Sequence, residues 1–225
     1  MTTRHMTRAA QICAAGGVGL GVLLSGPAAF AHPHVWVTAR TELVFEDRKM
    51  QSVRHVWRFD EAFTAFATQG LDTDGDGKLS FEELQPLAKI NVESLQEYGF
   101  FTFVEGGDLK AEFQPPTEYW LDFNNGLLTL FYTLPLKSPI APDGDGLTIE
   151  VYDPSYFVDF QMVKEDPVIV AGLPANCTWD FEEPPEIESD LAAALADIPA
   201  SVRDLPPEFQ TVTETLSNKA KVSCP

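Results

Sequence analysis

The segment Val35–Phe59, VWVTARTELVFEDRKMQSVRHVWRF, contains two runs with the composition of β-strands. Val35–Phe45 and Met50–Phe59 are rich in Val, Trp, Thr and Arg, and Glu46–Lys49 separates them. Runs of β-branched and aromatic residues on either side of a short polar segment are typical of a β-hairpin. We therefore predict a β-hairpin formed by these two strands.

The turn of this hairpin sets which residues face each other. Pairing outward from a tight turn at Asp47-Arg48 puts His55 opposite Arg40 and Glu61 opposite His34. A longer turn or a β-bulge would shift these pairs. The prediction made here is the register of a tight two-residue turn.

Helical spacing replaces the strand pattern in residues 60–98. Asp60–Gln69 predicts a first helix with Asp60 as its N-cap, and Phe81–Tyr98 predicts a second helix. The apolar face expected for the second helix consists of Leu84, Leu87, Ile90 and Leu95.

Short strand patterns return after Gly99, separated by Gly, Pro and Asn-Gly turn signals. They predict strands at Phe100–Val104, Leu109–Phe113, Glu118–Phe123, Leu127–Leu134, Leu147–Tyr152, Tyr156–Val163 and Val168–Ala171. Short helices are predicted at Ser189–Ala196 and Pro207–Leu216. The expected fold is mainly β, an antiparallel sandwich or barrel in one domain (32–225), with an inserted helix–loop–helix at 60–98 and short C-terminal helices.

The amino terminus has the features of a cleaved signal peptide. Arg4 and Arg8 precede a short apolar run, Val18–Leu24, and Ala29-Phe30-Ala31 fits a signal-peptidase site. The apolar run is too short to span a bilayer. We predict removal of residues 1–31, including Cys13, which leaves His32 as the first residue of a periplasmic protein that is not embedded in the membrane.

The composition is strongly acidic. The predicted leader holds two of the 15 Lys and Arg residues and none of the 34 Asp and Glu residues, so its removal changes the formal charge from −19 to −21. Such a charge disfavours nucleic acid as a partner and attracts cations. Solubility alone is the simpler explanation of the charge.

Two cysteines remain after processing, Cys177 and Cys224. An even pair in an exported protein predicts a disulfide, which would hold the last segment against the domain. A thiolate metal site would need closer spacing or neighbouring histidines.

The twelve residues Asp72–Glu83, DTDGDGKLSFEE, carry the spacing of an EF-hand calcium loop. The predicted calcium ligands are the carboxylates of Asp72, Asp74, Asp76 and Glu83 and the backbone carbonyl of Lys78. Gly77 allows the sharp turn, and Ser80 occupies the position where a water often bridges. The alternative is an ordinary acidic, Gly-rich turn. Because the loop is single, a structural calcium site is expected rather than a sensor.

A second cluster of ligand-type residues stands at the predicted mature terminus. His32 would offer its α-amine and its ring, and His34, two residues on, projects to the same side of an extended segment. Such nitrogens suit Zn, Cu, Ni and Co. The cluster resembles the histidine brace of lytic polysaccharide monooxygenases and of some periplasmic copper-binding proteins. Asp60 and His55 are the candidates for a further ligand, although His55 beside Trp57 equally fits a hydrogen-bonded core histidine.

The order of motifs along the chain resembles one bacterial family. The motifs are His32–Val37, Ser52–Phe63, the Asp-Gly loop with Glu83–Ala88, Tyr98–Phe101, Val151–Phe160 and a late cysteine. The family is uncharacterised and is described as the periplasmic component of an ABC-type transport system, often encoded beside nickel/cobalt-type permeases. The resemblance implies periplasmic handling of a transition metal with an inner-membrane permease as partner. It does not imply a classical solute receptor, which has two α/β lobes.

Three hypotheses follow from these motifs. The favoured one is a metal-binding accessory protein or chaperone without catalytic residues, with calcium in the loop and a transition metal at the terminus. The second is a copper-dependent oxidase that uses the histidine brace. The third is a calcium-dependent interaction module in which the histidines are incidental.

Overall fold

A computed structural model describes residues 32–199, 202 and 205–225. The predicted signal peptide (1–31) and Cys13 lie outside the described residues. In chain order, the elements are β1 (Val35–Glu46), β2 (Lys49–Phe59), α1 (Glu61–Ala67), α2 (Phe81–Leu95) followed by a 3₁₀ segment (Gln96–Phe101), β3 (Thr102–Gly106), β4 (Leu109–Lys110), β5 (Tyr119–Asn124), β6 (Leu127–Ile140), β7 (Leu147–Val151), β8 (Val158–Met162), β9 (Val168–Ala171), β10 (Thr178–Glu182), α3 (Ser189–Ala196), α4 (Pro207–Thr215) and β11 (Asn218–Ser223).

The predicted hairpin is confirmed. β1 and β2 pair antiparallel, and Glu46 lies opposite Lys49 at the closed end. The two turn residues, Asp47 and Arg48, have φ values of 48° and 63°. Positive φ at both central residues is typical of a type I′ turn, whose twist matches that of the flanking strands.

The register predicted farther along the hairpin is wrong by one residue. The register shifts between Val44 and Phe45: Val44 faces Ser52 whereas Phe45 faces Met50, so that Gln51 of β2 is the extra, bulged residue. His55 therefore lies opposite Thr41 and not opposite Arg40. The paired ladder ends at Val37 and Phe59, before Glu61 could face His34.

The strands form two sheets and not a closed barrel. The first sheet has the order β5-β6-β2-β1-β8, with β9 also pairing with β1, and the second has the order β10-β11-β7-β3-β4. β8 and β9 run parallel to β1, along its first and second halves respectively. The mainly β prediction is thus confirmed as two sheets, one of them mixed.

One face of the first sheet carries the core. The part of this face near the start of β1 packs against α2. There Val37, Trp57 and Leu130 share a buried cluster with Leu84 and Ala88 of α2. The part of this face near the hairpin turn packs against the second sheet. There Leu43, Met50 and Val53 form a cluster with Ile149 and Val222 of the second sheet. Apolar burial of this kind is the main stabilising term for such a fold.

The inserted helices agree with prediction except for one face. Asp60 caps α1 and accepts a hydrogen bond from the Phe63 N–H at 2.9 Å, and Ser80 with Glu83 forms a capping box on α2. Ile90 was expected to face the core but is 60% exposed. The buried residues of α2 are instead Leu84, Ala88 and Val92.

The C-terminal segment returns to the second sheet. β10 and β11, which the sequence analysis did not predict, pair antiparallel with Thr178 opposite Ser223. Directly beside that pair, Cys177 and Cys224 form the predicted disulfide. Of the described helices, none has the length and apolar character needed to cross a membrane.

His55 is part of the buried core. It is 1% exposed, and its ring stacks on Tyr132 with centroids 5.0 Å apart. The hydroxyl oxygens of Thr41 and Thr102 lie 3.3 Å and 3.0 Å from its Nδ1 and Nε2. Burial lowers the pKa of His55 from 6.5 to about 3, so the ring is neutral in the folded protein at neutral pH.

The disulfide predicts a large loss of stability on its removal. Because it closes a loop with a sequence separation of 47, replacing both cysteines (Cys177→Ser with Cys224→Ser) should lower the free energy of unfolding by about 4 kcal/mol. Denaturant unfolding measures this change. In native protein both thiols should resist alkylation until a reductant is added, and labelling of unreduced protein would contradict the pairing.

His55 predicts an acid-sensitive fold. Its folded pKa lies below its unfolded value, so the unfolded chain takes up a proton that the folded chain excludes, and stability falls as pH drops from about 6.5 toward 3. His55→Gln removes the titrating ring. We expect the slope of stability against pH between pH 6 and pH 4 to decrease by up to ~1.4 kcal/mol per pH unit. Equal slopes in the two proteins, measured by urea unfolding, would contradict this account.

Candidate metal sites

The two N-terminal histidines lie together at the start of β1. Their ring centroids are 5.2 Å apart, and the planes make an angle of 75°. The loop between β7 and β8 holds this segment, because the N–H groups of His34 and Val35 both donate to the Phe157 carbonyl, at 2.8 Å and 3.2 Å. The Phe157 ring lies 4.6 Å from the His34 ring.

Three ring nitrogens of this pair are buried without a hydrogen bond. They are Nδ1 and Nε2 of His32 and Nε2 of His34, and none has a partner in the part of the chain that the structure describes. Buried polar atoms are nearly always paired, since an unpaired one loses its hydration without compensation. The pair therefore presents nitrogen lone pairs or N–H groups that a bound partner would satisfy.

The charge state of His34 favours ligation. Burial, and next the neighbouring His32, lower the pKa of His34. A lowered pKa keeps the imidazole neutral at neutral pH, and neutral imidazole is the form that binds metals.

The loop that holds the histidines is itself fixed by a buried carboxylate. Asp153 accepts hydrogen bonds from the Ser155 N–H, the Ser155 hydroxyl and the Val158 N–H, at 2.7–2.9 Å. Burial raises the pKa of Asp153 by more than these hydrogen bonds lower it, so that the net shift is upward. Asp153 and Phe157 lie in the motif Val151–Phe160, whose pattern was noted but gave no indication of their positions.

Asp60 links two elements near the histidines. Its Oδ2 accepts from the Trp36 N–H at 2.8 Å and its Oδ1 accepts from the Phe63 N–H. Both carboxylate oxygens thus hold backbone groups at the junction of β1 and α1. Asp60 is hydrogen-bonded to Trp36, two residues after His34, but its carboxylate caps α1 and binds the β1 backbone.

The structure does not bring His55 to the N-terminal pair. His55 faces Thr41, which is seven residues along β1 from His34, and seven residues of strand span about 23 Å. Its two nitrogens are within hydrogen-bonding distance of threonine hydroxyls. Of the four predicted transition-metal ligands, the structure places only His32 and His34 side by side.

The acidic loop between α1 and α2 has converging oxygens. Carboxylate oxygens of Asp72, Asp74 and Asp76 lie within 4.8 Å of one another, a grouping that also fits exposed acidic residues without an ion. Asp72 accepts from the N–H groups of Gly75, Asp76 and Gly77, at 2.8–3.2 Å. These bonds curl the backbone around the three carboxylates.

Glu83 closes the same loop. Its two carboxylate oxygens accept from the N–H and hydroxyl groups of Ser80 and of Thr73. These bonds, with the Ser80 backbone first, lower the pKa of Glu83 to about 2. Glu83 thus stays charged at neutral pH and brings the last residue of the loop against its second residue. Lys78 is exposed. Its predicted role as a ligand involves the backbone carbonyl and not the side chain.

Two uncharacterised bacterial proteins and one family model are similar to this chain. An uncharacterised protein of Haemophilus influenzae is 21% identical over 175 residues, which are 77% of this chain and 83% of the relative. An uncharacterised 15.5 kDa protein of Spirochaeta aurantia, from the trpE 3′ region, is 30% identical over 103 residues, 43% of this chain and 69% of the relative. The family model described as "Protein of unknown function (DUF1007)" matches residues 18–224, and the chain belongs to that family.

Proposed function

We propose that the protein is a periplasmic metal-binding protein that holds a transition metal at His32 and His34 and calcium in the Asp72–Glu83 loop. The observation that carries the proposal is the set of three buried, unpaired imidazole nitrogens on two adjacent histidines. A metal ion would satisfy acceptor nitrogens that no described residue satisfies.

The donor set favours a borderline metal ion. Two imidazoles suit Zn, Cu, Ni or Co and do not suit calcium. Processing after Ala31 would add the α-amine of His32, which forms a chelate with its own ring. The apolar Phe157 ring, 4.6 Å from His34 and 6.3 Å from His32, limits water around the pair. Fewer competing waters and a lower local dielectric strengthen metal–ligand bonds.

The acidic loop fits a calcium ion by its oxygen donors. Oxygens of Asp72, Asp74 and Asp76 converge, and the N–H groups of Gly75, Asp76 and Gly77 already turn the backbone around Asp72. Calcium binding would require Glu83 to exchange some hydrogen bonds with Ser80 and Thr73 for the ion. The loop joins α1 to α2, so an ion there would fix the helices that cover the first half of the β1 face.

The biological role is proposed as an accessory or chaperone in metal transport. The basis is the resemblance in motif order, which implies a neighbouring inner-membrane permease. In the residues that the structure describes, the two-sheet fold has no pair of α/β lobes that could close on a solute. Metal would therefore be held at the terminus and transferred, and not enclosed between domains.

Two other functions remain testable. A copper oxidase needs an open coordination position that substrate can reach, and His32 is only 4% exposed. Copper-dependent peroxide turnover would favour the oxidase. A calcium-dependent interaction module has some support in the exposed Phe81 and Ile90 of α2, which are 56% and 60% exposed. Transition-metal binding that survives replacement of His32 would favour the module.

Calcium should raise the thermal stability of the protein. With a dissociation constant of about 10⁻⁴–10⁻³ M, about 10 mM calcium would add roughly 1.4–2.7 kcal/mol to the free energy of unfolding. Asp72→Asn retains an acceptor for the loop amides but removes a charged ligand, so the calcium-dependent rise in Tm should disappear. The matched control is Asp143→Asn in the other Asp-Gly turn, which should retain the rise. Identical melting curves in calcium and in chelator would refute the calcium site.

The amino terminus gives a second, independent prediction. Adding one Gly before His32 retains every side chain but converts the α-amine into an amide, which is a poor ligand. Transition-metal affinity should fall on the order of 100-fold, about 2.7 kcal/mol, and His34→Ala should cause a similar loss. Calorimetric titration of untagged protein measures both changes.

The calcium response is the internal control for that experiment, because the loop is separate from the terminus. It should be the same in the Gly-extended and original proteins. Equal transition-metal affinity in the two forms would exclude the amine as a ligand and leave a site made of histidine side chains alone.

A further inference from the structure

A cavity of about 570 Å³ lies beneath α2, on the core face of the first sheet. Its walls are mainly apolar and include Val35, Trp57, Phe63, Leu95, Phe101 and Phe160. Ser94 and Tyr98, which are solvent-exposed, also line it and mark its mouth. The volume is in the ~300–1,000 Å³ range of cavities that hold small organic ligands.

Two hydrogen-bond donors that line this cavity have no partner among the described residues. Trp57 is 1% exposed, and its indole Nε1 makes no hydrogen bond to any residue that the structure describes. The same holds for the buried Asn91 Nδ2, which belongs to α2 on the opposite side of the cavity from the sheet. Close-packed interiors seldom leave both space and unpaired donors in one place. An acceptor atom inside the cavity would satisfy them.

The charges around the cavity restrict what can bind. Lys, Arg and His are absent from its described lining, and Asp153 is the carboxyl group there. The oxygens of Asp153 already accept from Ser155 and Val158. An anionic ligand would meet a carboxylate and no cation, and a cation would find its one described counter-charge, Asp153, already occupied by hydrogen bonds within the loop. An uncharged ligand avoids both penalties.

We propose that this cavity binds an uncharged, largely apolar small molecule whose carbonyl or similar oxygen accepts hydrogen bonds from Trp57 Nε1 and Asn91 Nδ2. The site is separate from the histidine pair, although Phe157 borders both. It does not depend on metal binding, and its test reads out a different ligand.

The probe is Nile red, a neutral apolar dye with one carbonyl oxygen, titrated into the purified exported protein and followed by its fluorescence. Saturable binding of one dye per chain is expected. Asn91→Leu preserves side-chain size and removes the donor, and Trp57→Phe preserves an aromatic ring and removes the N–H. Each should weaken dye binding about 5- to 10-fold, the effect of one lost hydrogen bond.

Three variants locate the dye. Ser94→Trp at the mouth should weaken binding more than tenfold. Glu93→Trp, on the neighbouring exposed position of α2 that does not line the cavity, should leave affinity within twofold. Trp120→Phe, on the other face of the first sheet, is the matched control for Trp57→Phe and should also leave it within twofold. Thermal melting checks folding, and if Trp57→Phe does not fold, Asn91→Leu and Ser94→Trp decide the outcome.

Absence of saturable binding, or binding that Ser94→Trp and Asn91→Leu leave unchanged, would overturn the proposal by placing the dye on exposed side chains. The anionic dye 1-anilinonaphthalene-8-sulfonate tests the charge argument. It should bind at least tenfold more weakly than Nile red, and equal affinity with the same response to Ser94→Trp would overturn the assignment of an uncharged ligand.

Discussion

The parallel pairing of β1 with β8 is the interaction on which the arrangement of the site depends. Val35 lies beside Val158, and the Phe157 carbonyl receives the N–H groups of His34 and Val35. Because these bonds join backbone groups, they fix the position of the histidines relative to the β7–β8 loop without requiring any particular side chain. Asp153 then fixes the loop from within. Loss of this pairing would separate Phe157 from the histidines even if every strand stayed intact.

Much of the fold could be predicted from local pattern. Two runs of strand-type residues around the polar segment Glu46–Lys49 predicted the hairpin, and helical spacing predicted α1 and α2. The bulge at Gln51 could not be predicted, because neither Gln51 nor its neighbours Met50 and Ser52 is a glycine or a proline. β10 and β11 were missed since Thr178–Glu182 is mostly exposed and Asn218–Ser223 buries only small or polar residues beside Val222. Parallel pairing is a non-local property that no run of residues encodes alone.

The site was predictable where its residues are adjacent in sequence. The loop carboxylates and the His-Pro-His segment each lie within a few residues, so spacing alone indicates the chemistry. Contacts between residues that are distant in sequence were not predictable: Phe157 lies beside the histidines because β1 pairs with β8. For His55 the sequence left a ligand and a hydrogen-bonded core residue as equal alternatives, and its burial between the hydroxyls of Thr41 and Thr102 supports the second. Asp60 was predicted correctly as a cap: its Oδ1 accepts from the Phe63 N–H of α1, and its Oδ2 accepts from the Trp36 N–H of β1.

The separation of donor types explains how one chain could serve two metals. Oxygen donors are concentrated in the loop after α1, and the paired imidazoles stand at the start of β1. Calcium prefers the first set and gains little from nitrogen, whereas Zn, Cu, Ni and Co gain most from the second. The acidic surface raises the local concentration of every cation and discriminates between none of them. In the proposed function, selectivity would therefore come from the donors, and the fold places the two sets on different elements, so that filling one need not alter the ligands of the other.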